Sequence, residues 1–229
     1  MQKVNILGLE LNDHTKRESV DMARQFLDNG ILDVVLYADH AILTKAGKDE
    51  TLRKWIESVG LIQWASLDIL EAAGVSGGGR YREVENREFL RDLLHIVEHD
   101  HKSVFLLSDN DEEIEYLRAT LRQMQPGIMV AGSALAGTET EEIKSSINEI
   151  NSVSPSIVIA RMDIEKQLTW LQESDNMVNA AIWLGMPSDM QIIIKDNRLF
   201  PGIRSRFKKV FFSKKVHRYS SKKNGQKDT

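Results

Sequence analysis

The sequence predicts an α/β fold, a parallel sheet with helices on both faces, and two patterns within its 229 residues carry that reading. Short apolar runs recur at 4–9, 34–36, 61–64, 104–107, 128–131, 157–160 and 180–184. Amphipathic segments with helix punctuation lie between them. Such alternation is what a Rossmann-like sheet requires, since each crossover helix must return the chain to start another parallel strand. A third observation sets the boundary of the domain. From Ile203 to Thr229 there are ten Lys or Arg against one acid, Asp228, about +9 in a chain of net charge −4. The sequence therefore divides into an acidic α/β domain, 1–202, and a basic tail, 203–229.

Taken in order, the run at 4–9 opens the sheet, and Thr15 with Glu18 forms the capping box of a helix that Gly30 stops. Val20, Ala23, Phe26 and Leu27 are the buried face of that helix. The segment 111–124 places Ile114, Leu117, Leu121 and Met124 on one side, with acids in its first turn to complement the dipole. The segment 138–151 repeats the form with Ile143, Ile147 and Ile150. Ligands in such folds sit beyond the carboxyl ends of strands. That rule directs attention to 37–40, 65–68, 108–110 and 161–167.

Composition excludes several classes. There are no cysteines, which rules out disulfides and thiolate metal sites and fits a reducing cytoplasm. The N-terminus carries no secretory signal pattern, and no apolar stretch approaches the ~18 residues that span a bilayer. The tail, by contrast, suits a surface. Ile203, Phe207, Val210 and Phe211 share a helix face, ringed by Arg204, Arg206, Lys208, Lys209, Lys214 and Lys215. Such a segment can lie among anionic lipid headgroups; the alternative is a solvated basic end. Nucleic acid is disfavoured as a partner, because an acidic body repels a duplex and the four tryptophans form no basic stacking platform.

Local motifs give little chemistry by themselves. Gly77-Gly78-Gly79 lacks the Lys and Ser/Thr of a phosphate loop, so it reads as a flexible connection. His95-x-x-Glu98-His99 has zinc-protease spacing but falls at the end of a helix whose buried face is Phe89, Leu93, Leu94 and Val97; it reads as a solvated terminus. No metal or cofactor is expected. Asp39 and Asp68 each follow a predicted strand, where a general base stands, and each equally suits the cap of the next helix.

The order of elements and several strings resemble the WecG/TagA/CpsF glycosyltransferases, family 26. The resemblance runs from Val4 to about Phe212. It is carried by 34–40 (VVLYADH), by 103–108 (SVFLLS) and above all by 155–159 (PSIVI) followed by 166–170 (KQLTW). It implies an inverting, metal-independent transfer of N-acetylmannosamine or a related sugar from a UDP donor to a polyprenyl-diphosphate-linked glycan, in cell-surface polymers such as teichoic acid. By the same resemblance Gln167, Ser108 and Tyr37 would meet the donor. The tail, with Arg204, Arg206 and Arg218, would meet membrane or diphosphate from the cytoplasmic face of the cell membrane.

Departures from the family pattern are as informative. Where the family carries its proposed catalytic Asp this chain has Ala65, and Asp68 or Asp39 would have to stand in. Two readings follow: an active hexosaminyltransferase with a displaced base, or a silent relative that scaffolds an active paralogue or a second copy of itself. For the tail, flotation with anionic liposomes is expected to fall on truncation after Gly202 and on raising salt. Equal flotation of the truncated and full-length chains would remove the membrane proposal.

Overall fold

The computed structural model describes residues 2–75, 77–174 and 177–192; the basic segment 203–229, with Arg204, Arg206, Lys208, Lys209, Lys214, Lys215 and Arg218, lies outside the described residues. Six strands, β3 (Asp33–Ala38), β4 (Leu61–Trp64), β5 (Ser103–Ser108), β6 (Met129–Leu135), β7 (Ile157–Arg161) and β8 (Ile182–Met186), form one sheet in the order β4-β3-β8-β7-β5-β6. Every pairing in it is parallel. Period-two geometry sorts their side chains between two apolar layers. Val35, Val104, Leu106, Ile157, Ile159 and Leu184 face one layer, built with α1 (Lys16–Asp28), α6 (Glu88–His99) and α7 (Asp111–Met124). Phe105, Leu107, Val158, Ala160 and Trp183 face the other, with α8 (Thr140–Val153) and α9 (Ile164–Ser174). The doubly covered parallel sheet is therefore as the sequence predicts.

The opening run is a correction. Instead of joining the sheet, it forms β1 (Gln2–Ile6) and turns into β2 (Leu9–Asp13), a separate antiparallel hairpin. The reason is local: Leu7 and Gly8 both take positive φ, 53° and 84°, the geometry of a two-residue hairpin turn. The strand after it buries Leu9, Leu11 and Asp13 and exposes the residues between. Its apolar side packs with Ile62 and Trp64 of β4 and with Leu52 and Ile56 of α3 (Glu50–Ser58).

Helix ends follow the sequence signals. Thr15 Oγ1 accepts from the Glu18 amide at 3.3 Å while Glu18 returns the bond to the Thr15 amide at 2.9 Å, completing the capping box of α1. Asp39 caps α2 (His40–Ala46), its carboxylate accepting from the Ile42 amide at 2.8 Å. Helix α6 ends at His99, which pairs with Asp100 at 2.9 Å. The glycine run departs from expectation, for Gly78 and Gly79 begin α5 (Gly78–Glu85). Glycine disfavours a helix by about 1 kcal/mol relative to Ala. Buried Val84 and the ion pairs of Arg80, described below, offset that cost.

Three of the four tryptophans belong to the core. Trp64, Trp170 and Trp183 are buried, the last two with ring centroids 4.7 Å apart. Gly185 of β8 runs beside this pair, where a Cβ would lie 2.2 Å from Gln167 Oε1 and 3.0 Å from Leu36 Cδ1. Overpacking of this kind costs ~1–3 kcal/mol. Gly185→Ala is expected to lose stability in that range by urea unfolding; an unchanged midpoint would show that Gln167 can move aside.

Candidate functional site

Two places at the carboxyl edge of the sheet have the topology of a ligand site, and their side chains distinguish them. The first lies between β7 and β5. The chain leaves β5 toward β6 and leaves β7 toward β8, in opposite directions, the switch point at which open α/β sheets bind ligands. Here it is filled by protein. Ser108 Oγ donates to the Arg161 carbonyl at 2.7 Å, and both residues are buried. The Arg161 guanidinium spends itself on Glu113 at 2.6 Å, on the Met190 carbonyl at 2.7 Å and on the Ser188 carbonyl, while packing over the Tyr116 ring at 4.9 Å. It straps the segment after β8 across this edge.

Gln167 is inside the fold as well. Fully buried, it donates through Nε2 to the carbonyls of Met162 at 3.0 Å and Met186 at 3.2 Å, and accepts from Trp183 Nε1 at 3.3 Å. All these bonds tie α9 to the ends of β7 and β8. Asp68 is exposed in the first turn of α4 (Leu67–Ala72), and Asp39 is held by its cap. The described residues singled out from the sequence are thus dispersed: Ser108 and Gln167 serve the framework, Asp39 and Asp68 stand at helix starts, and Tyr37 lines an opening.

That opening is the second place, a narrow cleft of about 10 Å³, partly open to solvent, over the ends of β3 and β4. Tyr37 and Trp64 form its floor; His14 and Lys16, at the junction of β2 with α1, form one wall; Arg80 and Glu83 of α5, with Arg87, form the other. Asp13 organises it. Its carboxylate accepts from Trp64 Nε1 at 2.7 Å and from Arg80 at 2.5 Å, and Arg80 forks to Glu83 with its other amine. Burial works against the Arg80 charge, but these two carboxylates outweigh it and hold its pKa above the usual value. Lys16 is fixed by Glu88 at 3.4 Å and Asp92 at 3.2 Å.

Arg87 is different in kind. It is buried in the left-handed backbone conformation, φ 52°, and its guanidinium donates only to carbonyls: Ala65 at 2.7 Å, Val84 at 3.1 Å and Gln191 at 3.1 Å. Among the described residues no carboxylate comes within ion-pair distance of it. Burial accordingly lowers its pKa. A buried cation balanced only by dipoles, beside an open crevice, favours an anion there. Tyr37, stacked obliquely on Phe89 at 6.5 Å, has its hydroxyl near the Leu90 amide without a hydrogen bond of ordinary geometry, and burial raises its pKa.

One further finding bears on this crevice over the β3 and β4 ends, where the cations Lys16 and Arg80 are paired with carboxylates and Arg87 is held by carbonyls. A family model for the glycosyl transferase WecG/TagA/CpsF family matches residues 4–207. The chain belongs to that family. Among relatives, the N-acetylglucosaminyldiphosphoundecaprenol N-acetyl-beta-D-mannosaminyltransferases of Staphylococcus aureus strain NCTC 8325 / PS 47 and strain MRSA252 are each 21% identical over 203 residues, 88% of this chain and 79% of theirs.

Ala65 follows β4 and adjoins the crevice through Arg87. Ala65 is buried there, its amide donating to the Ala38 carbonyl at 2.8 Å and its carbonyl accepting from Arg87. The crevice thus lies beside the position at which the family resemblance places an acid. Asp13, His14, Arg80, Glu83 and Arg87 were not anticipated from the sequence. Only the Arg80–Glu83 spacing of three, one helix turn, hinted at any of them. Asp13→Ala, which leaves Arg80 with Glu83 alone and the buried Trp64 Nε1 without its acceptor, is expected to cost ~3 kcal/mol. Asp39→Ala, a lost cap, is expected to cost about 1 kcal/mol. Urea unfolding of both checks the contrast, and equal losses would remove Asp13 as the organiser.

Proposed function

We propose that this chain is a membrane-peripheral glycosyltransferase that moves N-acetylmannosamine, or a related N-acetylhexosamine, from a UDP donor to a polyprenyl-diphosphate-linked N-acetylglucosamine. The observation that carries the reading is the family match over 4–207. Relatives named for this transfer align with 88% of the chain and across 79% of their own length. The crevice supports it with matching chemistry. Arg87, a buried cation held only by carbonyls, lines the opening together with the ion-paired Arg80 and Lys16, and a diphosphate is the group in this reaction whose charge it would complement.

Gln167 and Ser108 then act at one remove, holding the ends of β5, β7 and β8 so that the edge stays in register. Approach to the acceptor lipid is from the cytoplasmic face. No helix among the described residues is long and apolar enough to cross a membrane, so the basic tail is the element proposed to hold the domain on the anionic bilayer. A partner paralogue or a second copy is not needed for this reading.

The test is transfer itself. Purified full-length protein, with UDP-N-acetylmannosamine and a short-chain polyprenyl-diphosphate N-acetylglucosamine in detergent, is expected to release UDP and form the disaccharide lipid. Arg80→Gln is expected to lower kcat/KM by on the order of 10- to 100-fold, as for other lost contacts to phosphate charge. Binding of the donor with no transfer to any such acceptor would instead identify a silent relative.

A further inference from the structure

We propose that His14 is the general base of the transfer, replacing in function the carboxylate that position 65 lacks. The inference rests on the reading of the crevice as the transfer site. It comes from the inventory of groups facing that space. Glu83 is bound to Arg80 and to the Lys16 amide, Lys16 is paired with Glu88 and Asp92, and Tyr37 is kept protonated by burial. Arg80 and Arg87 cannot give up a proton near neutrality. His14 is the remaining titratable side chain of the lining.

Its geometry fits the role. His14 is 6% exposed, and its Nδ1 is buried with no hydrogen-bond partner. A buried nitrogen without a partner is costly unless something arrives to use it. An acceptor hydroxyl is such a donor. Asp13 on one side is fixed by Trp64 and Arg80, and Thr15 on the other caps α1, so the backbone carrying the imidazole is held at both neighbours. In the step, the acceptor hydroxyl gives its proton to Nδ1 as its oxygen forms the bond to the anomeric carbon. The bond from that carbon to the UDP oxygen breaks, and its electron pair leaves with the diphosphate, whose charge Arg80 and Arg87 meet.

Protonation favours the role too. Burial lowers the His14 pKa, against smaller raising effects of Glu18 on α1 and Asp13 on β2, with Arg80 on α5 lowering it further. A base must be neutral to act, so activity is present above the folded pKa and lost as pH falls through it. The acid limb of kcat/KM is therefore expected below the ordinary histidine value of about 6.5.

The experiment measures transfer and donor binding by full-length wild type, His14→Gln, His14→Ala and Glu83→Gln across pH 5–9. His14→Gln is expected to lose ~10²–10⁴ in kcat, with donor affinity little changed and the acid limb gone. Added imidazole is expected to restore part of the rate of His14→Ala. Glu83→Gln is expected to keep the acid limb where wild type has it. Persistence of the limb in His14→Gln, or its disappearance in Glu83→Gln, would overturn the assignment. Should neither His14 variant fold, NMR titration of the wild-type imidazole decides: a midpoint above 6.5 contradicts the proposal, and one below supports it. Failure of wild type to transfer at all would sink the transferase reading instead, an outcome distinct from loss of this base.

Discussion

The carboxylate of Asp13 is the point on which the crevice depends. It ends the one strand pair that stands outside the main sheet, and it binds an indole from β4 and a guanidinium from α5 at once. Three parts of the chain, near residues 13, 64 and 80, meet there through two hydrogen bonds and a charge. In a low-dielectric setting such a contact costs desolvation on both partners, and only satisfied geometry makes it hold. The gain is positional. Helix α5 begins with two glycines and has little helical propensity at its start, yet Arg80 and Glu83 stand on it facing the crevice. The hairpin in turn delivers His14 to the opposite wall.

A second constraint closes the other edge. Arg161, at the end of β7, and Arg87, at the start of α6, both reach carbonyls of the segment 188–191. One strap fills the switch point between β5 and β7; the other runs beside Ala65. With the switch point packed, the ends of β3 and β4 are the place proposed for ligand chemistry. That division explains why a fold rule about strand ends locates the region but not the residues.

The periodic parts of the fold were legible in the sequence because they depend on local pattern. Alternating β-strand apolar residues, the Thr15–Glu18 box and the Asp39 cap all appear where sequence signals put them. The hairpin was readable in principle, since Leu7-Gly8 is followed by alternation at Leu9, Leu11 and Asp13, but a continuous apolar run hid the turn. The site was not legible, for a physical reason. Asp13 and Arg80 are 67 positions apart, and no periodicity links them. Gln167 and Ser108 lie in strings that resemble the family, yet their polar atoms are spent within the framework. His14 is an inconspicuous residue before a helix cap until burial and an unpartnered nitrogen distinguish it.

The chain belongs to the WecG/TagA/CpsF family and carries alanine at position 65, and the crevice beside it holds the groups proposed to serve the transfer. A crystal structure of the full chain with UDP-N-acetylmannosamine tests that claim most directly. The account predicts the diphosphate between Arg80 and Arg87, with the sugar against the His14 imidazole. A donor bound instead beside Ser108 and Arg161, with the crevice empty, would contradict it.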